Sequence, residues 1–186
     1  MQVALSGIVE NLLEVPPPRF EPSIICDLLR DLRIDDRTLE PYLHWLPGRY
    51  ARNLIFRNEL FELIALCWDA HSDSPIHNHA GQLCWVSIQQ GALRFENYNS
   101  LDGPGPGRVR LVPAGGIERA GVGCLDLRGL EDGIHRVSNP FPERAVSLHV
   151  YSRPYDSCLA YDPITNTARE IKLWYHSIGG KVVRPQ

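Results

Sequence analysis

The chain has 186 residues, 44% of them hydrophobic, enough to bury one core and short for two. A formal charge of −3 with no run of Lys or Arg lacks the positive face that nucleic acid or an anionic membrane surface demands, so small molecules are the expected partners. No segment offers the roughly 20 apolar residues of a spanning helix, MQVALSGIVENLLEV lacks the basic start of a secretory signal, and five scattered cysteines without a CxxC pair suit a reducing compartment.

A soluble cytoplasmic monomer follows as the expectation. Up to about residue 46 the pattern is helical. PPPRFEPS (16–23) ends one helical stretch and opens another, in which Ser23 is placed to cap and Ile24, Ile25, Leu28, Leu29 and Leu32 recur at helical spacing. Residues 38–45 read as a further short helix. From about residue 50 to 186 the texture changes to short apolar or alternating runs divided by Asn, Asp, Gly and Pro, the pattern of an all-β region. GPGPG (103–107) has no GK[ST] ending and reads as a plain loop rather than a phosphate loop. Many short strands after a helical start favour a closed barrel or sandwich, one domain over residues 1–186 with room for a small ligand.

Two stretches carry candidate chemistry. In a strand, His77 and His79 share a face with Asn78 turned the other way, so two imidazoles can converge on one ion. A pair of half-exposed strand histidines would look the same. In AVSLHVYS (145–152), Val146, Leu148 and Val150 form an apolar face while Ser147, His149 and Tyr151 form a polar one. A solvent-facing strand would give that alternation too; buried, the three polar groups would have to hydrogen-bond to one another, which a spacing of two permits.

The order His77-Asn78-His79, four residues, Cys84, six residues, Gly91, and later His135-Arg136-Val137-Ser138-Asn139 resembles the metal motifs of cupins, with Cys84 where cupins carry a carboxylate ligand. One reading makes Cys84 the fourth ligand of a closed zinc site. Together with RYARNL (49–54), LCW (66–68), HNHAGQLC (77–84), GIHRVSN (133–139), AVSLHVYS and YDSC (155–158), the motifs resemble those of the cysteine dioxygenases, cupin-fold non-haem iron thiol dioxygenases, across roughly residues 20–180. The resemblance implies a mainly β cupin, a double-stranded β-helix or jelly-roll-like barrel with short N-terminal helices. It implies Fe(2+) held by His77, His79 and His135, and oxidation of L-cysteine by O2 to cysteine sulfinate, a step of cysteine catabolism.

By the same resemblance Arg52, with Tyr50 one strand repeat before it, reaches the substrate carboxylate. Ser147, His149 and Tyr151 form a relay ending at the phenol, and Cys84 is joined to Tyr151 by a thioether rather than bound to the metal. The related 3-mercaptopropionate dioxygenases have Gln at the place of Arg52, so an amino acid is the expected substrate; another small thiol, or a non-catalytic metal-binding cupin, is the alternative. Two departures stand out: Arg153 follows Ser152 where the animal enzymes have Pro, and His71 replaces a motif glycine. The odd separation of His79 and Cys84 calls for a bulge at Ala80-Gly81 to turn both to one side. His44, His71 and His176 read as surface or capping residues, Cys26, Cys67 and Cys124 as buried small hydrophobes, and Cys158 as a cysteine near the pocket mouth.

Overall fold

The computed structural model describes residues 2–30, 32–103, 105–129 and 133–183. The chain opens with β1 (Gln2–Val3), α1 (Leu5–Glu14), α2 (Pro22–Leu29), β2 (Arg33–Ile34) and α3 (Asp36–Leu39), which runs into a 3-10 turn at Glu40–Tyr42. Pro22 occupies the first helical position of α2, where its missing N–H costs nothing and its fixed φ suits the helix. The cap is therefore Glu21, and Ser23 lies inside the first turn rather than capping it; Leu32 falls beyond the helix. The helix expected over 38–45 is shorter and earlier. Asp35 caps α3 by accepting from the Arg37 N–H at 3.0 Å, and Pro41 is accommodated in the 3-10 turn.

The remaining strands are β3 (Tyr50–Arg57), β4 (Glu62–Trp68), β5 (Ile76–His77), β6 (Cys84–Gln90), β7 (Ala92–Ser100), β8 (Gly107–Arg108), β9 (Leu111–Gly121), β10 (Leu125–Arg128), β11 (His135–Ser138), β12 (Ala145–Tyr151), β13 (Ser157–Asp162), β14 (Thr167–Lys172), β15 (Ser177–Ile178) and β16 (Lys181–Val182). They form two seven-stranded sheets, β10-β6-β12-β4-β3-β15-β16 and β8-β14-β13-β5-β11-β7-β9. Leu54, Ile64, Trp68 and Val86 of the first sheet pack with Leu93, Phe95 and Val137 of the second, so the sheets lie face to face. This is the double-stranded β-helix of a cupin, built as two facing sheets, so of the closed barrel or sandwich expected from the strand pattern it is the open, two-sheet form that is found.

The first sheet is covered on its other side as well. Leu63, Ala65, Trp85, Val146, Leu148 and Val150 pack against Ile8, Leu12, Ile25, Leu29 and Leu39 of the helices. All seven residues of β12 are buried in consequence, so its alternation separates two interiors, an apolar one under the helices and a polar one between the sheets. Gly91 makes the tight link from β6 to β7 at φ +69°, and a Cβ there would stand 2.5 Å from the Arg144 carbonyl oxygen. The GPGPG stretch belongs to the connection from β7 to β8, with Pro104 outside the described residues and Gly107 opening β8. No described helix is long and apolar enough to cross a membrane.

Candidate metal centre

Three imidazoles meet at one end of the space between the sheets. His77 of β5 and His135 of β11 are direct partners on adjacent antiparallel strands. His79 lies just past the end of β5. Ring centroids are 5.4 Å apart for His77 and His79 and 4.8 Å for each of the other two pairs. Between them Asn78 points the other way, as alternation requires, and its Oδ1 accepts from the Leu159 N–H at 3.0 Å, tying the segment to β13. One potential ligand atom from each histidine lies within 4.8 Å of the others, and among the described residues this is the cluster able to hold a metal.

The donor set fits a divalent transition metal. Burial holds His77 down to about 4 and His79 and His135 well below the usual imidazole range, so all three are neutral near pH 7, the form that binds metal. His77 Nδ1 is engaged at 2.9 Å by the Pro75 carbonyl, which it meets as donor, leaving Nε2 as the ligand atom. His79 Nδ1 and His135 Nδ1 are buried without a hydrogen-bond partner. Among the described residues no carboxylate joins the cluster and neither does Cys84, so the four-ligand zinc site with Cys84 is not built.

Cys84 instead faces a relay. It opens β6 directly opposite Tyr151 of β12, and its Sγ lies 3.8 Å from His149 Nδ1. Tyr151 Oη is 3.3 Å from the same nitrogen, Ser147 Oγ is 2.9 Å from His149 Nε2, and Trp68 Nε1 donates to Ser147 Oγ at 2.9 Å. An indole N–H can only donate. Ser147 therefore accepts from Trp68 and spends its own proton on His149 Nε2, which leaves the His149 proton on Nδ1, aimed at the phenol and the thiol. Burial keeps His149 neutral, down to about 3, and pushes the Cys84 thiol and the Tyr151 phenol up.

The expected bulge at Ala80-Gly81 is instead a turn. Both residues are in the left-handed region, φ 52° and 76°, and Gln82 N–H closes on the His79 carbonyl at 2.9 Å. The chain thereby leaves the second sheet at β5 and enters the first at β6, so strand parity between His79 and Cys84 does not apply.

Arg52 of β3 forms part of the wall of the cavity that also contains His77, His135, His149 and Tyr151. Its side chain is 10% exposed, and Nε and Nη2 have no hydrogen-bond partner. Tyr50 stacks on Trp68 with centroids 4.9 Å apart. A neighbouring hollow of about 520 Å³, bordered by Arg49, Asp73, Arg169, Lys172 and Trp174, shares Tyr50, Arg52 and Pro75 with the cavity wall. Cys158 lies in the cavity wall, its thiol pushed up to about 11 by burial.

Other assignments sort by position. His44 and His176 lie outside the cluster, and His44 Nε2 meets the Gly180 carbonyl at 2.9 Å. His71 is an exposed turn residue at φ 57°. Cys67 is buried, whereas Cys26 and Cys124 are half-buried rather than core residues. Asn139 donates to the carbonyls of Asp69 and Glu143 and secures a loop. Among the described residues no peptide bond is cis, including the one before Arg153.

Four residues near the site were not singled out by sequence. Trp68 orders the relay, Tyr155 packs edge-on to Tyr151 at 5.1 Å, and Glu62 approaches Arg52 to 3.6 Å. Arg128, opposite Cys84 in register, donates to Asp126 Oδ2 and to Asn97 Oδ1, each at 2.5 Å; Asn97 is the cross-strand partner of His135, so Arg128 ties the two sheets behind the cluster. Parity would have found Glu62, a carboxylate sharing a strand face with Ile64, Leu66 and Trp68.

Residues 23–164 match the family model for cysteine dioxygenase type I. The chain belongs to this family. Cysteine dioxygenase type 1 of Rattus norvegicus is 33% identical over 131 residues, 69% of this chain and 64% of the relative, and that of Homo sapiens is 34% identical over the same shares. The matched stretch thus spans under two thirds of those relatives' length. Among solved structures, an RmlC-like cupin protein from Desulfovibrio desulfuricans superposes with TM-score 0.44 at 17% identity, over 61% of this chain and 91% of that one. The His77, His79 and His135 cluster and the Cys84–Tyr151 pairing both fall inside the part of the chain that matches the cysteine dioxygenase family.

Proposed function

We propose that this protein is a cytoplasmic iron(II) thiol dioxygenase, one cupin unit acting as a monomer, that oxidises L-cysteine with O2 to cysteine sulfinate. The observation that carries the reading is the presence in one cavity of neutral imidazoles and a buried guanidinium whose Nε and Nη2 have no partner. A metal held by His77, His79 and His135 alone has positions left for other ligands. Iron(II) there would supply the meeting point for thiolate, amine and dioxygen and the redox chemistry that carries both oxygen atoms to sulfur.

The protein's own groups do the rest. Arg52 offers two parallel donors to a carboxylate, a charge-assisted fork that fixes the substrate's orientation as well as its position. Holding a small thiol in that fork beside the histidines removes the encounter entropy of the reaction. Tyr151 accepts from His149 Nδ1, so its own proton is turned to the cavity and available to the substrate or an oxygen atom. Cys84 lies opposite Tyr151 in register, which supports a thioether between them, formed as the thiol S–H and a ring C–H give up two hydrogens and two electrons to O2; it would fix the phenol in one rotamer.

The test is iron analysis of the purified protein with oxygen uptake and product mass on L-cysteine. One oxygen molecule consumed per cysteine sulfinate formed is the expected result. An iron-loaded protein without oxygen-dependent product would be a non-catalytic cupin, and faster turnover of 3-mercaptopropionate than of cysteine would move the substrate to that thiol.

A further inference from the structure

Behind Arg52 lies a buried carboxylate, with a half-buried guanidinium and an exposed carboxylate beyond it, that the proposed reaction does not use. Glu62, 0% exposed, begins β4 and stands in register with Arg57 of β3 on one side and Tyr151 of β12 on the other. By alternation Tyr50, Arg52 and Leu54 face inward; the bulge between Leu54 and Phe56 then brings Arg57, an odd position, round to the same side. Glu62 Oε2 accepts the Tyr175 hydroxyl at 2.5 Å and lies 3.8 Å from Arg57 Nη1. Arg57 Nη1 donates to Tyr175 Oη and to Asp156 Oδ1, each at 2.8 Å. Both guanidiniums also border the Tyr175 ring, Arg52 Cζ at 5.6 Å and Arg57 Cζ at 6.0 Å from its centroid. Glu62 Oε1 is the uncommitted atom. It lies 3.6 Å from Arg52 Nη2, and neither has a hydrogen-bond partner.

We propose that Glu62, held by Tyr175 and Arg57, is a positioning residue for Arg52: a buried counter-charge that steadies the guanidinium while leaving its donors for the single carboxylate of an amino-acid substrate. This rests on the reading of Arg52 as the carboxylate anchor. At 3.6 Å the pair is too long to be a hydrogen bond but close enough to interact strongly in a dry interior. Glu62 therefore balances charge without occupying the fork. Arg57 already has Asp156 as its carboxylate, so Glu62 is the counter-charge that faces Arg52, while the unpartnered donors of Arg52 remain for a substrate carboxylate. A guanidinium without Glu62 would bind anions more avidly and place them less well.

Glu62→Gln keeps the shape and a partner for Tyr175 but removes the charge. Its expected signature is a split: KM for L-cysteine falls or holds, kcat drops about 10- to 100-fold through misplacement, and sodium acetate inhibits at concentrations that leave the wild type unaffected. Independently of turnover, acetate at fixed ionic strength should raise the melting temperature of Glu62→Gln more than that of the wild type, and adding Arg52→Ala should abolish the difference. Tyr175→Phe, which frees Glu62 without removing its charge, should lower kcat less and confer no acetate sensitivity. Wild-type KM, kcat and acetate response in Glu62→Gln would overturn the proposal, as would loss of activity with no acetate effect. If Glu62→Gln does not fold, unchanged kcat and KM in Tyr175→Phe overturns it. A wild type that does not oxidise cysteine defeats the dioxygenase reading alone, because the acetate melting shift still tests the pairing of Glu62 with Arg52.

Discussion

The two sheets present different chemistry to the cavity between them. The second contributes His77 and His135, with His79 at its edge, all neutral. The first contributes a permanent cation, a carboxylate, a thiol, a phenol and the indole–hydroxyl–imidazole chain that ends at that phenol. The difference follows from what lies behind each sheet. Helices cover the first, so β4 and β12 are buried on both faces and the polar groups they turn inward find partners among themselves or in Tyr175, Glu62 Oε1 excepted. These contacts link Trp68, Ser147, His149 and Tyr151 into one network and Glu62 with Tyr175 and Arg57 into a second. The second sheet has strands such as β9 and β14 with mostly exposed residues, and the imidazoles it turns inward are neutral. The charged and proton-bearing groups sit on the helix-covered sheet, and the imidazoles that could hold a metal sit on or beside the other.

Breaking the second sheet's contribution should have the largest effect. His135→Ala is expected to cost metal affinity by more than the roughly 10- to 100-fold seen when a ligand merely loses its support, and activity with it. His44→Ala should change neither. Metal content by plasma emission spectrometry checks this, and full iron retention in His135→Ala would remove that histidine from the site.

On the first sheet, Arg52→Ala comes next. Losing one partner of a buried charge pair costs on the order of 2–5 kcal/mol, so kcat/KM for cysteine should fall from about 30-fold to several thousand-fold with iron retained. Arg52→Lys should recover part of it, because a single ammonium cannot reproduce the fork. Cysteamine, which lacks the carboxylate, should be a poor substrate for the wild type and suffer far less from Arg52→Ala. Equal losses for both would make Arg52 structural.

These assignments were open to reading from sequence to different degrees, for physical reasons. HxH and the alternation of AVSLHVYS are local periodicities, and local periodicity survives in any strand. What sequence could not give is where a strand ends. Ala80-Gly81 turn the chain into the opposite sheet, and the bulge in β3 inverts parity between Arg52 and Arg57; each breaks a period-of-two argument at one residue. Pro22 takes over the start of α2 from Ser23 by the same kind of local geometry. Trp68 and Glu62 acquire their roles through partners far along the chain, Ser147 for Trp68 and Tyr175 for Glu62, and such pairing is not visible in a single sequence. The openness of the two sheets likewise depends on long-range closure.

Within the relay the expected effects are smaller. Ser147→Ala leaves the Trp68 N–H and His149 Nε2 without a partner and frees the His149 tautomer. The protein should keep its iron and lose about 10- to 100-fold in kcat, at or below the low end for positioned proton transfer. Cys84→Ser should lose only several-fold, since it removes preorganisation of a phenol that is still present. A reductant-resistant peptide joining the two regions, found by tandem mass spectrometry after turnover with cysteine, would establish the thioether in the wild type. Its absence with activity intact would delete the cross-link and leave the metal site standing.

The smallest effect on chemistry should come from the far side of β12. Leu148 lies between Ser147 and His149 in sequence but points under the helices, into the apolar interior with Leu63 and Ile25. Leu148→Ala should cost about 2–5 kcal/mol of stability through the cavity it leaves, measured by denaturant unfolding. Yet kcat/KM per folded molecule should stay within about twofold, because the backbone of β12 is held by ladders to β4 and β6 on both sides. An unchanged stability would mean that the helices do not dock on this face. A loss of kcat matching that of Ser147→Ala, with the fold intact, would mean that the helical layer positions the relay through the strand, and the division between a structural and a chemical face of β12 would have to be given up.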